Sequence, residues 1–246
     1  MAIAGAPGRQ LTMGRDREVQ IPADPQDWTP MRPYRGRRKF DITDPIVEPL
    51  WSGVRVLAHI DATTADGDRP SVTLVEDLGA DLADELPDVV NAVGRSVLAG
   101  DAILDGVITR QVGLDGVGAA AIPEVRASTT SILMRNNAEL DVVPRGPGAD
   151  RDDAAEGFIA FDLLRIDGTS LLDVPMLERK RLLESVIDES GLVRVSVHVR
   201  PPLDTWLTTW KSLGLRGAIL KAANSHYRPG HDSIEWRLVE SLGRRG

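Results

Sequence analysis

Not one of the 246 residues is cysteine. That removes disulfides, thiolate metal sites and cysteine nucleophiles, and it says nothing of compartment. Aromatic residues make up only 4% of the chain, so aliphatic side chains must fill most of any core. No apolar run approaches the ~18–20 residues that a membrane-spanning helix needs. The N-terminal stretch MAIAGAPGRQLTMGRDREVQIPADPQDW lacks the apolar segment of a secretory signal, and a cytoplasmic protein is the default expectation. Lysine is scarce as well: Lys39, Lys180, Lys211 and Lys221 are the only four. The histidines His59, His198, His226 and His231 are too scattered for a metal pattern. No nucleophile-elbow motif supports Ser-His-Asp catalysis.

What is present is ordinary for a globular protein: 42% hydrophobic and 27% charged residues, in a chain long enough to bury a real core. The net charge of −8 is uneven. Residues 1–40 carry eight Lys/Arg against four Asp/Glu, whereas the other 206 carry 21 against 33. Residues 1–40 are also rich in Pro and Gly without sustained periodicity, and read as a basic, largely irregular arm ahead of a body at 41–246. The cluster RPYRGRRK, Arg32 to Lys39, suits contact with phosphates of DNA or with an acidic protein partner, or simply solvent. The acidic body has no overall field that would draw nucleic acid.

Along the body, GVRVLAHID alternates as a strand, with Val54, Val56, Ala58 and Ile60 on one face. SVTLVED is a second strand. LADELPDVVNAVGRSVL has helical spacing at Leu86, Val89, Val90 and Val93, with Pro87 in an early turn. DAILDGVIT reads as a strand that turns at Asp105-Gly106. IPEVRASTTSILMRNNAEL is weakly helical, and residues 142–157 form a loop loaded with Gly, Pro and Asp. FIAFDLLRIDG is an apolar strand. VPMLERKRLLESVIDESG is a helix with Pro175 in its first turn, Met176, Leu183, Val186 and Ile187 on one face, and Gly191 to end it. VRVSVHV alternates as a strand, PLDTWLTTWKSLG is a helix stopped near Gly214, and GAILKA and SIEWRLVE are strands. Hairpin-type turns beside crossover helices predict an α+β fold.

Several short motifs occur in a telling order. EPLWSGVRVLAHI resembles the first motif of ATP-dependent DNA ligases, Glu-x-Lys-x-Asp-Gly-x-Arg: Glu48, Gly53 and Arg55 match, while Leu50 replaces the lysine and Ser52 the aspartate. ILDGVI resembles the Asp-Gly-Glu motif, with Val107 in place of glutamate. FIAFDLLRIDGTSLLDVPMLERKRLLESVI is the longest similar stretch. GLRGAILKAANSHYRPGHDSIEWRLVE resembles the closing motifs, Glu-Gly-x-x-x-Lys, Ser-x-Tyr-x-x-Gly and Trp-x-Lys-x-Lys. Gly217, Lys221, Ser225, Tyr227, Gly230 and Trp236 match there. Arg216 replaces the glutamate, Arg237 is taken for the first lysine of the last motif, and Glu240 for the second. One such motif is a weak signal, but an ordered set over residues 41–240 is a strong one. The resemblance implies the DNA ligase/mRNA capping enzyme-like nucleotidyltransferase domain, of mixed and antiparallel sheets flanked by helices, without the OB-fold domain that follows it in the family.

The family reaction begins with attack of a lysine amine on the α-phosphorus of ATP, and a nucleophile needs a free lone pair. Leu50 has none. The carboxylates that help hold the family's divalent cation are here Val107 and Arg216, so metal binding is not expected. Arg237 keeps a positive charge with altered geometry, and Glu240 reverses one. The resemblance implies a catalytically inactive ligase-like protein, a binding or scaffold module in DNA repair, with no catalytic residue. It also implies nucleotide contacts at five positions: Glu48 near the adenine edge, Phe161 stacked on the base, Arg55 and Lys221 at sugar and phosphate, and Arg237. ATP or another nucleotide could then bind without being consumed. The plainer readings are that Phe161 is core, that Arg55, Lys221 and Arg216 are ion-pair partners, that Trp236 packs, and that Leu50 and Val107 fill a shrunken pocket. The alternatives are a working ligase whose nucleophile has moved, with Lys221 as the candidate, and a non-catalytic nucleotide sensor. The partner, the oligomeric state and the pathway are not legible in the residues.

Overall fold

The structure is a computed structural model that describes residues 22–34, 41–62, 70–110, 156–201, 204–212, 215 and 217–240. A six-stranded sheet forms its larger layer. Strands β3 (Val54–Asp61), β4 (Ser71–Glu76), β5 (Asp101–Thr109), β6 (Gly157–Ile166) and β7 (Thr169–Ser170) run antiparallel in the order β4-β3-β5-β6-β7, and β8 (Val193–Val195) joins β6 in parallel. The crossover from β6 to β8 carries helix α2 (Met176–Val186), as a parallel pair requires. Helix α1 (Pro87–Ser96) links β4 to β5, with Pro87 in its first turn where the missing N–H costs nothing. A second sheet orders β11 (Trp236–Glu240), β9 (Gly217–Ala222) and β2 (Pro45–Pro49), all antiparallel, with helix α3 (Asp204–Ser212) leading into it. A short parallel pair joins β1 (Arg32–Pro33) to β10 (Asp232–Ser233). The mixed architecture is the α+β fold that the element pattern predicts.

Three apolar clusters hold these layers. Val56, Ala58, Ile60, Leu74 and Leu104 from one face of the large sheet meet Val89 and Val93 of α1 and Leu183 of α2. Val47, Leu220 and Trp210 join Val107 and Ile159 in a second cluster. The third lies between the sheets, where Leu57, Ile103 and Leu164 pack on Ile46, Tyr227 and Trp236. Trp28 and Met31 are buried in it too, so residues 22–34 of the N-terminal arm are seated on the body. Because β3 is covered on both faces, Arg55 and His59 are buried beside the alternating apolar set, which one-sided alternation did not anticipate.

Three local expectations are corrected. The chain does not turn at Asp105-Gly106: β5 runs through it, and its pairing with β6 slips by a residue there. Glycine is required for packing, since a Cβ at Gly106 would stand 2.3 Å from the Phe158 ring. VRVSVHV is strand only at Val193–Val195, with Val199 bridging back to Val47. Helix α2 ends at Val186, five residues before Gly191, and Pro175 is its N-cap. The weak helix read at IPEVRASTTSILMRNNAEL and nearly all of the loop at 142–157 lie outside the described residues. Among those described, no helix is long and apolar enough to cross a membrane.

Candidate functional site

A cleft opens between the two sheets where β2, β3, β6, β9 and β11 approach one another. It encloses about 440 Å³, part of it open to solvent. Leu50, Trp51, Val107 and Ile219 form apolar walls, Glu48, Arg55 and Lys221 supply the charged groups of the cleft, and Phe161 and Trp236 its other aromatic faces. Local geometry fixes the entrance strand. The Leu50 N–H donates to the Gly217 carbonyl at 2.9 Å, pinning the end of β2 to β9. Gly53 then lets the chain enter β3 with φ of 153°, against a backbone so close that a Cβ would lie 2.0 Å from the Ile108 carbonyl oxygen.

Glu48 is 2% exposed and is held by two lysines. Lys180 Nζ donates to Oε1 and Lys221 Nζ to Oε2, each at 2.6 Å. Lys180 also donates to the Phe161 carbonyl at 3.2 Å. Burial pushes the Glu48 carboxyl up, but the two ammonium groups more than offset it and hold the group below the ordinary carboxylate range. Burial and the neighbouring Lys221 charge lower Lys180 despite Glu48. Lys221 Nζ lies 4.4 Å from the Trp236 ring centroid and 5.5 Å from that of Phe161.

Across the cleft, Arg55 grips Asp105 through two parallel bonds, Nε to Oδ1 at 2.8 Å and Nη2 to Oδ2 at 2.5 Å. Burial opposes the guanidinium charge, but Asp105 outweighs it and raises the group above its ordinary value. Tyr227 donates to Asp105 Oδ2 at 2.7 Å and accepts from the Met31 N–H at 2.9 Å. Burial and the Asp105 charge push that phenol well above its usual range. Behind them, Arg179 holds Asp162 through two 2.8 Å bonds.

Four of the five nucleotide-contact candidates therefore converge: Glu48, Arg55, Phe161 and Lys221 all line the cleft. Arg55 and Lys221 are also ion-pair partners, so the plainer reading of each describes the same side chain. Phe161 is half-buried at the cleft surface rather than sealed in the core. Trp236 packs edge-on against Tyr227 and donates its indole N–H to Ser225 Oγ at 3.1 Å. Leu50 and Val107 do form apolar wall, and space remains beside them.

Arg237 is the exception. Strand neighbours point to opposite faces, and Arg237 pairs with Leu220 on the side away from Trp236 and Lys221. The strand position on the side of Trp236 is Leu238, paired with Ile219, and it is also where the spacing Trp-x-Lys places the motif's first lysine, so a leucine rather than a cation stands there. Arg216 lies outside the described residues, and for Glu240 only the backbone pairing with Gly217 is described. Arg32 is paired with Asp77 at 2.5 Å, and residues 35–39 of the basic cluster lie outside the described residues.

Lys180 is the functional residue that motif matching missed. Its signal was in the helix: with Met176 four residues before it and Leu183 three after, it shares their buried face. The same spacing buries Arg179.

A divalent cation, which the family chemistry uses, does not fit this donor set. Both oxygens of Glu48 are engaged by ammonium groups, Asp105 is saturated by Arg55 and Tyr227, and Val107 offers no donor. No group of three or more His, Asp or Glu is placed to hold a metal among the described residues.

Comparison with known proteins bears on this geometry. A family model described as "ATP dependent DNA ligase domain" matches residues 36–237. DNA ligase 2 of Methanosarcina mazei is 30% identical over 205 residues, which span 80% of this chain and 32% of that protein. DNA ligase C1 of Mycolicibacterium smegmatis is 27% identical over 223 residues, 86% of this chain and 56% of that one. Among solved structures, the ligase domain of M. tuberculosis LigD superposes with a TM-score of 0.58 at 22% identity, covering 88% of this chain and 60% of that one. A mycobacterial DNA ligase D complexed with ATP and MES gives 0.58 at 21% identity, with 88% and 61% covered. The chain thus spans only about a third to 56% of the length of these curated relatives.

Proposed function

Because this chain belongs to the ATP-dependent DNA ligase family through its adenylation domain, we propose that it keeps that domain's nucleotide cleft but no longer forms the lysyl-adenylate. In this reading it acts in the cytoplasm as a binding or scaffold module in DNA repair. The observation that carries the reading is Leu50. It stands at the nucleophile's position in the first motif, forms cleft wall, and is 3% exposed. Its side chain has no lone pair, and no change of pH or conformation gives it one. Val107, opposite, adds hydrocarbon where the motif has a carboxylate.

Retention of Phe161, Arg55 and Lys221 around one cleft supports nucleotide binding without turnover. The Arg32–Lys39 cluster, on a chain whose relatives are DNA ligases, supports DNA as the macromolecular partner. The test is mass spectrometry of the whole chain after incubation with ATP and magnesium. An unmodified mass is expected, and an added AMP overturns the proposal. Should an adduct form, its loss in Lys221→Ala would assign the moved nucleophile to Lys221. Against that assignment stands the 2.6 Å contact with Glu48, which already engages the nitrogen.

A further inference from the structure

The charges buried around the cleft do not balance. Arg55 is matched by Asp105 and Arg179 by Asp162, one carboxylate to one guanidinium in each case. Lys180 and Lys221 share Glu48 as their direct ion-pair partner, with Asp162 acting on Lys180 from further off. Among these described residues there are four cations and three anions, all at 6% exposure or less. The surplus resides at Lys221. Lys180 has a second acceptor in the Phe161 carbonyl and does not line the cleft. Lys221 lines it, and among the described residues its ammonium meets, beyond Glu48, the Trp236 and Phe161 rings. A ring face attracts a cation but carries no counter-charge, and an uncompensated buried charge is among the costliest features a fold retains. An anion arriving from solvent at Lys221 relieves it.

We propose that the cleft binds one anionic group carried on a flat apolar body, seated on Lys221 Nζ, and that its ligand is a nucleoside monophosphate taken without a divalent cation rather than a metal-bound triphosphate. The inference rests on the reading that the cleft still binds nucleotides. The leucine, valine and isoleucine walls accept the body of the ligand, and Phe161 offers it a ring face. A phosphate monoester carries a charge of about −1.5 to −2 at neutral pH, so of the nucleotides the monophosphate comes nearest to the single surplus cation. A triphosphate is further from that charge, and among the described residues the two carboxylates nearest the cleft, Glu48 and Asp105, are already engaged rather than free to hold the metal that would neutralise the rest.

Calorimetric titration of the full chain with adenosine, AMP, ADP and ATP, each with and without magnesium, tests this. AMP is expected to bind tightest and independently of magnesium, with adenosine weaker by roughly tenfold or more, the loss of one charge-assisted contact. Lys221→Met is expected to weaken AMP to the level of adenosine and leave adenosine unchanged, and Lys221→Arg to restore part of the difference. If Lys221→Met does not fold, Lys180→Met removes the same surplus charge from behind the wall and must weaken AMP selectively. Tighter binding of magnesium-ATP than of AMP, AMP affinity equal to that of adenosine, or no heat with any nucleotide overturns the proposal. The two readings fail separately. Absence of nucleotide heat with no adduct removes this inference and leaves the loss of adenylation standing, whereas an AMP adduct removes that loss whatever the order of affinities.

Discussion

Two buried carboxylates, Glu48 in the cleft wall and Asp105 behind Arg55, are treated differently. Asp105 faces one guanidinium in a planar, two-bond grip and takes a third bond from Tyr227. Glu48 faces two ammonium groups, one per oxygen. The first arrangement closes: charges cancel, both oxygens have directed donors, and Tyr227 ties it to the backbone of Met31. It braces β3, β5 and the N-terminal segment. The second stays open by one positive charge, and the open charge is the one that reaches the cleft. A balanced buried pair fixes geometry, whereas an unbalanced one leaves a charge that a ligand can answer.

The comparison can be broken by removing each carboxylate. Asp105→Asn strands a guanidinium that cannot shed its proton. We expect a loss of about 3–5 kcal/mol, read by urea denaturation. Glu48→Gln strands two ammonium groups, yet a buried lysine can deprotonate, and Lys180 is already lowered by burial. Its cost should fall near the lower end of the same range of about 3–5 kcal/mol, and it should shrink as pH rises, whereas that of Asp105→Asn should not. Equal pH profiles for the two variants would erase the distinction.

The pH dependence of the unaltered chain follows from the same groups. Glu48 is lower in the folded state than its ordinary 4.5. Its stabilisation is therefore complete above that value and is lost as pH falls through the depressed folded one. Lys180 is lower than its ordinary 10.5. Between its folded value and 10.5 the unfolded chain binds more protons, so this group makes stability rise with pH across that window. Lys180→Met should abolish the rise. At neutral pH the same variant should lie within about 1 kcal/mol of the parent, because it leaves Glu48 paired with Lys221. The smallest effect belongs to the surface: Arg228 and Asp173 pair at 2.7 Å with the carboxylate 82% exposed, and Arg228→Ala should cost less than about 1 kcal/mol. A larger loss there would mean that surface and cleft pairs cannot be told apart by burial.

Much of this was legible in the residues and some was not. Element order and type followed from alternation at Val56, Ala58 and Ile60 and from helical spacing at Val89 and Val93, because periodicity reports which side of a local segment meets the core. The motif order brought Glu48, Arg55, Phe161 and Lys221 to one place on paper before the fold did so. Arg237 was misplaced by one residue, and in a strand a single step reverses the face. The turn read at Asp105-Gly106 failed because glycine there serves packing against Phe158 rather than chain reversal.

The identity of the amino acids sufficed to say what stands at the nucleophile's position. A leucine in the nucleophile's place is unreactive in any surroundings, since reactivity is a property of its covalent structure. The charge balance of the cleft is another matter. Lys180 lies 132 residues from Glu48 along the chain, and no local pattern couples them. Folding alone chose which cations share a carboxylate, because ion pairing depends on distance and burial, and both are set by how β2, β9 and α2 pack together.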